Sequence, residues 1–274
     1  MKRNISLALI LAVIVGGAAF GQVKAKDGVY FAQETEFAKD SGWKDQVVLT
    51  VKGGKITNAI WNGTSNTGAA DKLTVVAQGG YPMVKFGKAK AEWNVQAKAV
   101  QDYLLKTQDV NFSKYSDAEG RTDAISGASI HVKPFFTLAA KALASAPVPK
   151  GIYAKDGWYF AQQADFDKQS TWKDSVLVTV VNGTVVDVLW NGTSSDKSKK
   201  SKLVEDLAGK YGMEKAAKNG AWHVQAAAVQ DAIVKAQDPA KIALKADGTT
   251  DAISGASLHV TAVGLAIEAL KPAR

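Results

Sequence analysis

Val47-Val48-Leu49-Thr50-Val51-Lys52-Gly53-Gly54-Lys55-Ile56-Thr57-Asn58-Ala59-Ile60-Trp61 holds two β-branched runs, Val47 to Val51 and Ile56 to Trp61, around a Gly-Gly pair. Two such runs joined by two residues that tolerate positive φ are the signature of a β-hairpin. The pattern returns further on, with Val176 to Val181 and Val185 to Trp190 flanking Asn182-Gly183, a stronger turn signal.

Working outward, Asp27 to Ser65 aligns without gaps to Asp156 to Ser194. Asp27-Gly28-Val29-Tyr30-Phe31-Ala32-Gln33 becomes Asp156-Gly157-Trp158-Tyr159-Phe160-Ala161-Gln162. Trp43-Lys44-Asp45 recurs as Trp172-Lys173-Asp174, and Ala99-Val100-Gln101-Asp102 as Ala228-Val229-Gln230-Asp231. Thr122-Asp123-Ala124-Ile125-Ser126-Gly127-Ala128-Ser129 recurs as Thr250-Asp251-Ala252-Ile253-Ser254-Gly255-Ala256-Ser257. The period is far longer than a solenoid unit, so each copy is expected to be a whole domain. The expected division is a leader at 1–25, a first domain at 26–146, a linker at 147–151 and a second domain at 152–274. Pro147 and Pro149 cannot continue a helix across that linker.

Each copy is expected to be α+β, a small antiparallel sheet with packed helices. Trp93, Ala97, Val100 and Leu104 recur at helical spacing within Ala91 to Thr107. A final amphipathic segment runs through Phe135, Phe136, Leu138, Ala139 and Ala142, and its copy through Val263, Ala266 and Leu270. Pro134 is tolerated only near the first turn, which predicts a helix start close to Ser129.

The chain of 274 residues carries 34 basic and 26 acidic side chains, a formal net charge of +8, no cysteine and three histidines. Absence of cysteine excludes disulfides, thiolate metal sites, iron–sulfur clusters and thiol catalysis. Three histidines leave little room for metal or triad chemistry, and neither a metal site nor a catalytic residue is expected. The modest, dispersed positive charge does not read as a nucleic-acid footprint. Lys2 and Arg3, the apolar run Ile5 to Val15 and the small residues up to Gly21 or Ala25 have the layout of a signal peptide, with a permanent N-terminal anchor as the alternative. The mature protein is expected to be exported: periplasmic, at the cell surface or secreted.

The Ser-Gly-Ala-Ser motif has its own logic. Ser126 or Ser129 could cap a helix, Gly127 would let a ligand approach the backbone, and the helix N-terminus would favour an anion such as a phosphate. An ordinary helix cap is the plain alternative.

Asp-X-X-Ser-Gly-Ala-Ser, present in both copies before the last helix, resembles the flavinylation motif of the FMN-binding domain family. That family includes the flavin-bearing subunits of sodium-pumping NADH:quinone reductase and of Rnf complexes, and extracellular flavin carriers. The resemblance implies that a flavin transferase, using FAD and Mg²⁺, attaches FMN by a phosphoester to Ser129 and to Ser257, giving two covalent FMN per chain. It implies that Asp123, Ser126, Gly127 and Ala128, with Asp251, Ser254, Gly255 and Ala256, form the two recognition motifs. It also implies an electron carrier rather than an enzyme with its own substrate, with a redox donor and acceptor that it does not name, a membrane-bound one among the options.

Other residues have two readings. His131 and His259 could touch the phosphate or the flavin edge, or could be solvated. Trp61, Trp190, Tyr30, Tyr159, Trp93 and Trp222 could stack on a flat ligand, with core packing the simpler account for most. Asn62-Gly63-Thr64 matches a glycosylation sequon, for which a turn is the simpler account. Lys197, Lys199, Lys200 and Lys202 read as a solvated loop, with docking to an acidic redox partner as the other reading. Two other functions compete: a flavin-dependent reductase component, and a binding protein that has lost flavinylation.

Overall fold

The computed structural model describes residues 23–214, 217 and 219–274, so the expected signal segment up to residue 22 lies outside the described residues. Among the described residues no helix is long and apolar enough to cross a membrane.

The fold is α+β, with two sheet-and-helix units in tandem. In the first, β1 (Gly28–Gln33), β2 (Trp43–Lys52) and β3 (Lys55–Ser65) form an antiparallel meander. Its helices are α1 (Lys72–Ala77), α2 (Met83–Gly87), α3 (Trp93–Thr107) and α4 (Lys133–Leu143). The second repeats the plan with β4 (Gly157–Gln162), β5 (Trp172–Val181), β6 (Thr184–Ser194), α5 (Lys202–Leu207), α6 (Trp222–Ala236) and α7 (Thr261–Ala269).

The hairpin turns fall where the glycine signals put them. Gly53 and Gly54 have φ of 58° and 71°, and Asn182 and Gly183 have 51° and 72°. Two successive positive φ values match the right-handed strand twist. The register shifts at Thr50/Val51 in one hairpin and at Thr179/Val180 in the other, so even the bulge is duplicated.

Each unit has its own core. Val47, Leu49 and Val51 on β2 and Trp61 on β3 meet Trp93, Ala97, Val100 and Leu104 of α3 and Phe135, Phe136 and Ala139 of α4. Val176, Val178, Val180 and Trp190 meet Trp222, Ala226, Val229 and Ile233 of α6 and Val263 and Ala266 of α7. The apolar positions expected to form the α3 face are thus the core face. Helices α3, α4, α6 and α7 each bury one stripe against their sheet, where removal of apolar surface from water supplies the main stabilisation, about 25 cal/mol per Å².

The units also meet each other. Gln46, fully buried on β2, donates to Asp187 of β6 at 3.0 Å and accepts from the Trp158 indole at 2.5 Å. Gln33 donates to the other Asp187 oxygen at 3.0 Å. Ser175 Oγ donates to the Gly68 carbonyl at 2.8 Å, and Asn191 Nδ2 to the Asn66 carbonyl at 2.8 Å. The connecting segment is fastened as well: Val148 N–H donates to Val29, and Gly151 N–H to Asn182.

Candidate functional site

The motif folds as a loop and not as a helix start. Helix α4 begins at Lys133, four residues past Ser129, with Val132 at its N-cap and no side-chain cap; α7 begins at Thr261 in the same way. Neither Ser126 nor Ser129 caps a helix, which corrects the expected helix start. Pro134 lies within the first helical turn, where its missing N–H costs nothing, but it does not fix how far upstream the loop extends. The motif is a turn closed by Ala128 N–H donating to Ile125 O at 3.2 Å, with Gly127 at φ 87°. An L side chain at that φ costs about 1–2 kcal/mol, so the turn itself requires the glycine. Ile125, 4% exposed, pins the turn to the core. Thr122 Oγ1 is held by the Lys114 carbonyl at 2.5 Å and accepts from Ala124 N–H at 3.1 Å. Ala256, Gly255 and Ile253 repeat the turn, with Gly255 at φ 89°.

The turn carries Ser129 out to solvent and fixes it from one side. Its amide N–H and its Oγ both donate to Gln96 Oε1, at 2.8 and 3.0 Å. Gln96 is buried on α3, and its Nε2 is held by the Ala91 carbonyl at 2.8 Å, which sets the amide orientation. Ser257 has the same arrangement on Gln225, at 2.8 and 3.2 Å. The Ser129 and Ser257 amides are therefore already engaged and offer no open backbone cradle of the kind expected at a helix cap. What the loop presents is an exposed hydroxyl, flanked by exposed Ser126 and Asp123, or by Ser254 and Asp251 in the second unit. Asp251 is paired with Lys245 at 2.6 Å. Ala128 and Ala256 pack toward the cores.

Ser129 stands at a cavity of about 390 Å³ that His131, Trp61, Trp93, Trp43, Tyr81 and Lys72 also line. His131 is half exposed and lies 3.1 Å from Glu119, and Arg121 reaches the same carboxylate at 2.5 Å. A second cavity of about 270 Å³ is built from the copied residues His259, Trp190, Trp222, Trp172, Tyr211 and Lys202. Ser257 is not in its lining, but Leu258 and His259 next to it are. Tyr30 and Tyr159 line neither cavity. Each hydroxyl is tied to its own backbone, Tyr30 to Lys26 O and Tyr159 to Lys155 O, so both act structurally.

The floor of each cavity holds an ion pair that sequence reasoning missed. Lys72 Nζ lies 3.7 Å from Asp45 and 4.3, 5.3 and 5.4 Å from the ring centroids of Trp93, Trp43 and Tyr81. Lys202 pairs with Asp174 among Trp172, Tyr211 and Trp222. Thr261 Oγ1 also donates to Asp174. Lys202 is thus buried and not part of the solvated loop, unlike Lys197, Lys199 and Lys200, which are exposed. Burial pushes the Lys72 ammonium down from its ordinary value, against the pull of Asp45 and Glu34. Burial pushes the Asp45 carboxyl up, opposed by Lys72. Glu34 is raised too, by burial and by the nearby Asp45 charge, although it accepts Asp45 N–H at 2.8 Å. Burial next to Asp174 and Asp206 pushes Tyr211 up to about 12, so its hydroxyl stays protonated.

Trp61 and Trp190 are 1% and 2% exposed, and neither indole N–H makes a hydrogen bond of normal geometry among the described residues, although the Trp61 indole faces the Asp45 carboxylate, whose Oδ1 is likewise unpaired. Buried polar groups are nearly always satisfied, and both indoles lie in cavity walls. Asn62 is fully buried at the end of β3 and donates to Asp71 at 2.8 Å. It is therefore neither in a turn nor accessible to a glycosylating enzyme in the folded chain.

No family model matches the chain, and no curated protein does. It is similar to a protein of Clostridium thermocellum solved by solution NMR, with 51% identity over 43% of this chain and 90% of that one, TM-score 0.36. It is also similar to a protein of Clostridium perfringens solved by crystallography, with 24% identity over 44% of this chain and 88% of that one, TM-score 0.35.

Proposed function

We propose that this chain is an exported electron carrier that holds two FMN groups, one esterified to Ser129 and one to Ser257. The observation that carries the reading is the pairing, in both repeats, of an exposed motif serine with an adjacent aromatic-walled cavity. The serine hydroxyls are reachable by a modifying enzyme, and each is held on one buried glutamine. The cavity residues suit a flat polar-edged ring: Trp and Tyr faces for stacking, an indole N–H without a hydrogen bond of normal geometry, and a fixed ammonium beside a carboxylate. Bound FMN would supply one- and two-electron redox chemistry, while the protein attaches and orients it. Lys72 and Lys202 would set the charge of the cavity that holds it. His131 and His259, two residues past the motif serines, would offer ring nitrogens to the bound group.

Co-expression with a flavin transferase tests this. Intact-mass analysis should show two additions of FMN less water. Ser129→Ala should leave one flavin, on the second repeat, Ser257→Ala one on the first, and the double variant none. An unmodified wild-type chain under these conditions, or covalent flavin on the double variant, would overturn the assignment.

A further inference from the structure

We infer that the cleft between the two repeats is a binding site for a small oligoanion, one bearing two or more phosphoryl or carboxylate groups. The cleft encloses about 530 Å³ and is lined from the first repeat by Lys39, Asp40, Ser41 and Thr67, and from the second by Lys197, Lys199 and Lys200 with Thr193 and Ser194. Four lysines therefore face one acid. All four are exposed. Among the described residues none of them has a carboxylate within ion-pair distance. Two further carboxylates flank the basic loop and offset part of its charge: Glu205, which accepts the Lys200 backbone N–H at 2.8 Å, and Asp196, which accepts from Ser198 and feels the charge of Lys199.

Duplication makes this basic character informative. Ser195 to Ser201 occupies the place that Asn66 to Asp71 fills in the first repeat, one residue longer, and brings three lysines where the first copy has none. The first copy's loop is neutral at Asn66 to Gly68 and is docked onto Asn191, Ser201 and Ser175. That docking brings the basic loop beside Lys39 of the other unit. Like charges gathered in a cleft repel, at a cost that an anion of matching charge reverses. The hydroxyls of Ser41, Thr67 and Thr193 add neutral hydrogen-bonding groups of the sort that seat phosphoryl or carboxylate oxygens.

The cleft touches both cavities described above. Ser41 lines the first cavity as well as the cleft, and Lys199 lies 5.7 Å from the Trp172 ring of the second. An anion seated there would lie between the two sites and would bridge the repeats.

Calorimetric titration of the intact chain with pyrophosphate, and separately with citrate, tests the inference. Binding of at least one is expected, weakening as salt shortens the screening length toward about 3 Å near molar concentration. A preference for pyrophosphate identifies a phosphoryl ligand, and a preference for citrate a carboxylate one. Lys197→Ser/Lys199→Ser/Lys200→Ser should weaken binding roughly tenfold or more, as expected when several charges leave one site. A control with the same loss of charge, Lys52→Ser/Lys55→Ser/Lys106→Ser, should stay within about twofold of wild type because those exposed lysines lie around the first hairpin turn and the end of α3, away from the cleft. Circular dichroism confirms that both variants fold. Failure of the wild-type chain to bind either anion would overturn the inference, as would equal weakening in the two triple variants. None of these variants alters Ser129 or Ser257, so the outcome is separate from that of flavin attachment.

Discussion

At the scale of single residues, the two cavities differ at one position that can be read by titration. Glu34 accepts the Asp45 amide, and Gln163 accepts the Asp174 amide at 2.7 Å by the same contact. Glu34→Gln therefore keeps the hydrogen bond and deletes only the charge. The Glu34 carboxyl is raised above its ordinary 4.5 by burial, so the fold prefers it protonated. Its contribution to stability is full below that ordinary value and is lost as pH rises through the raised one. Glu34→Gln is expected to be more stable than wild type at neutral pH and to converge with it near pH 4, measured by denaturant unfolding at both. A constant difference across pH would reject that account. Gln96 offers a second test. Gln96→Leu removes the acceptor for both Ser129 bonds and is expected to lower flavin loading of the first repeat only, with the second repeat as internal control by peptide mapping. Legibility was uneven here. Ser129, His131 and Trp61 came from motifs and do share one cavity. Asp45 was legible in principle, because Trp43, Asp45, Val47, Leu49 and Val51 share one strand parity and all are buried. An acid in an inward row demands a partner. Lys72 was hidden because the loop before it differs in length between the repeats, which breaks the register that revealed the rest.

At the scale of elements, the hairpins, the long helices and the final helices were readable from periodicity and turn chemistry. The start of α4 was not. Ser126 and Ser129 are good capping residues, but the tertiary bonds to Gln96 and the buried Ile125 hold the segment as a loop. A cap is worth only about 1 kcal/mol, and a buried anchor outweighs it. The linker was read as a plain connection, yet Gly151 sits against the turn of the second hairpin. A Cβ there would meet Gly183 O at 2.0 Å and Gly183 C at 2.3 Å, both backbone atoms that cannot step aside. Gly151→Ala is expected to destabilise the chain by about 1–3 kcal/mol, as overpacking does. Exposed Lys150→Ala next to it should stay within about 0.5 kcal/mol of wild type. Paired denaturant melts decide; a silent Gly151→Ala would mean that the linker does not hold the hairpin.

At the scale of the whole molecule, each repeat closes its own hydrophobic core, so residues 26–148 and 150–274 are each expected to fold when expressed apart. Separation opens the polar seam around Gln46 and Asp187, and each half should melt about 5 °C or more below the joined chain. Two insoluble halves would instead indicate one intertwined core. Nothing in the repeat pattern announced this seam, because Gln46, Trp158 and Asp187 replace Ser175, Val29 and Asn58 of the other copy, while Gln33 and Asn191 are the same residue type in both copies. Asn62 spends its amide on its own Asp71, whereas Asn191, with Ser201 in the place of that acid, turns the same amide to Asn66 of the other unit. The first unit thus offers a plug and has its own socket filled, while the second has an open socket and a lysine-bearing loop in place of a plug. Such a tandem has a direction: the joint runs from the first unit's loop into the second unit's amide, and two first-type units, each with that amide already spent on its own Asp71, cannot grip each other in the same way.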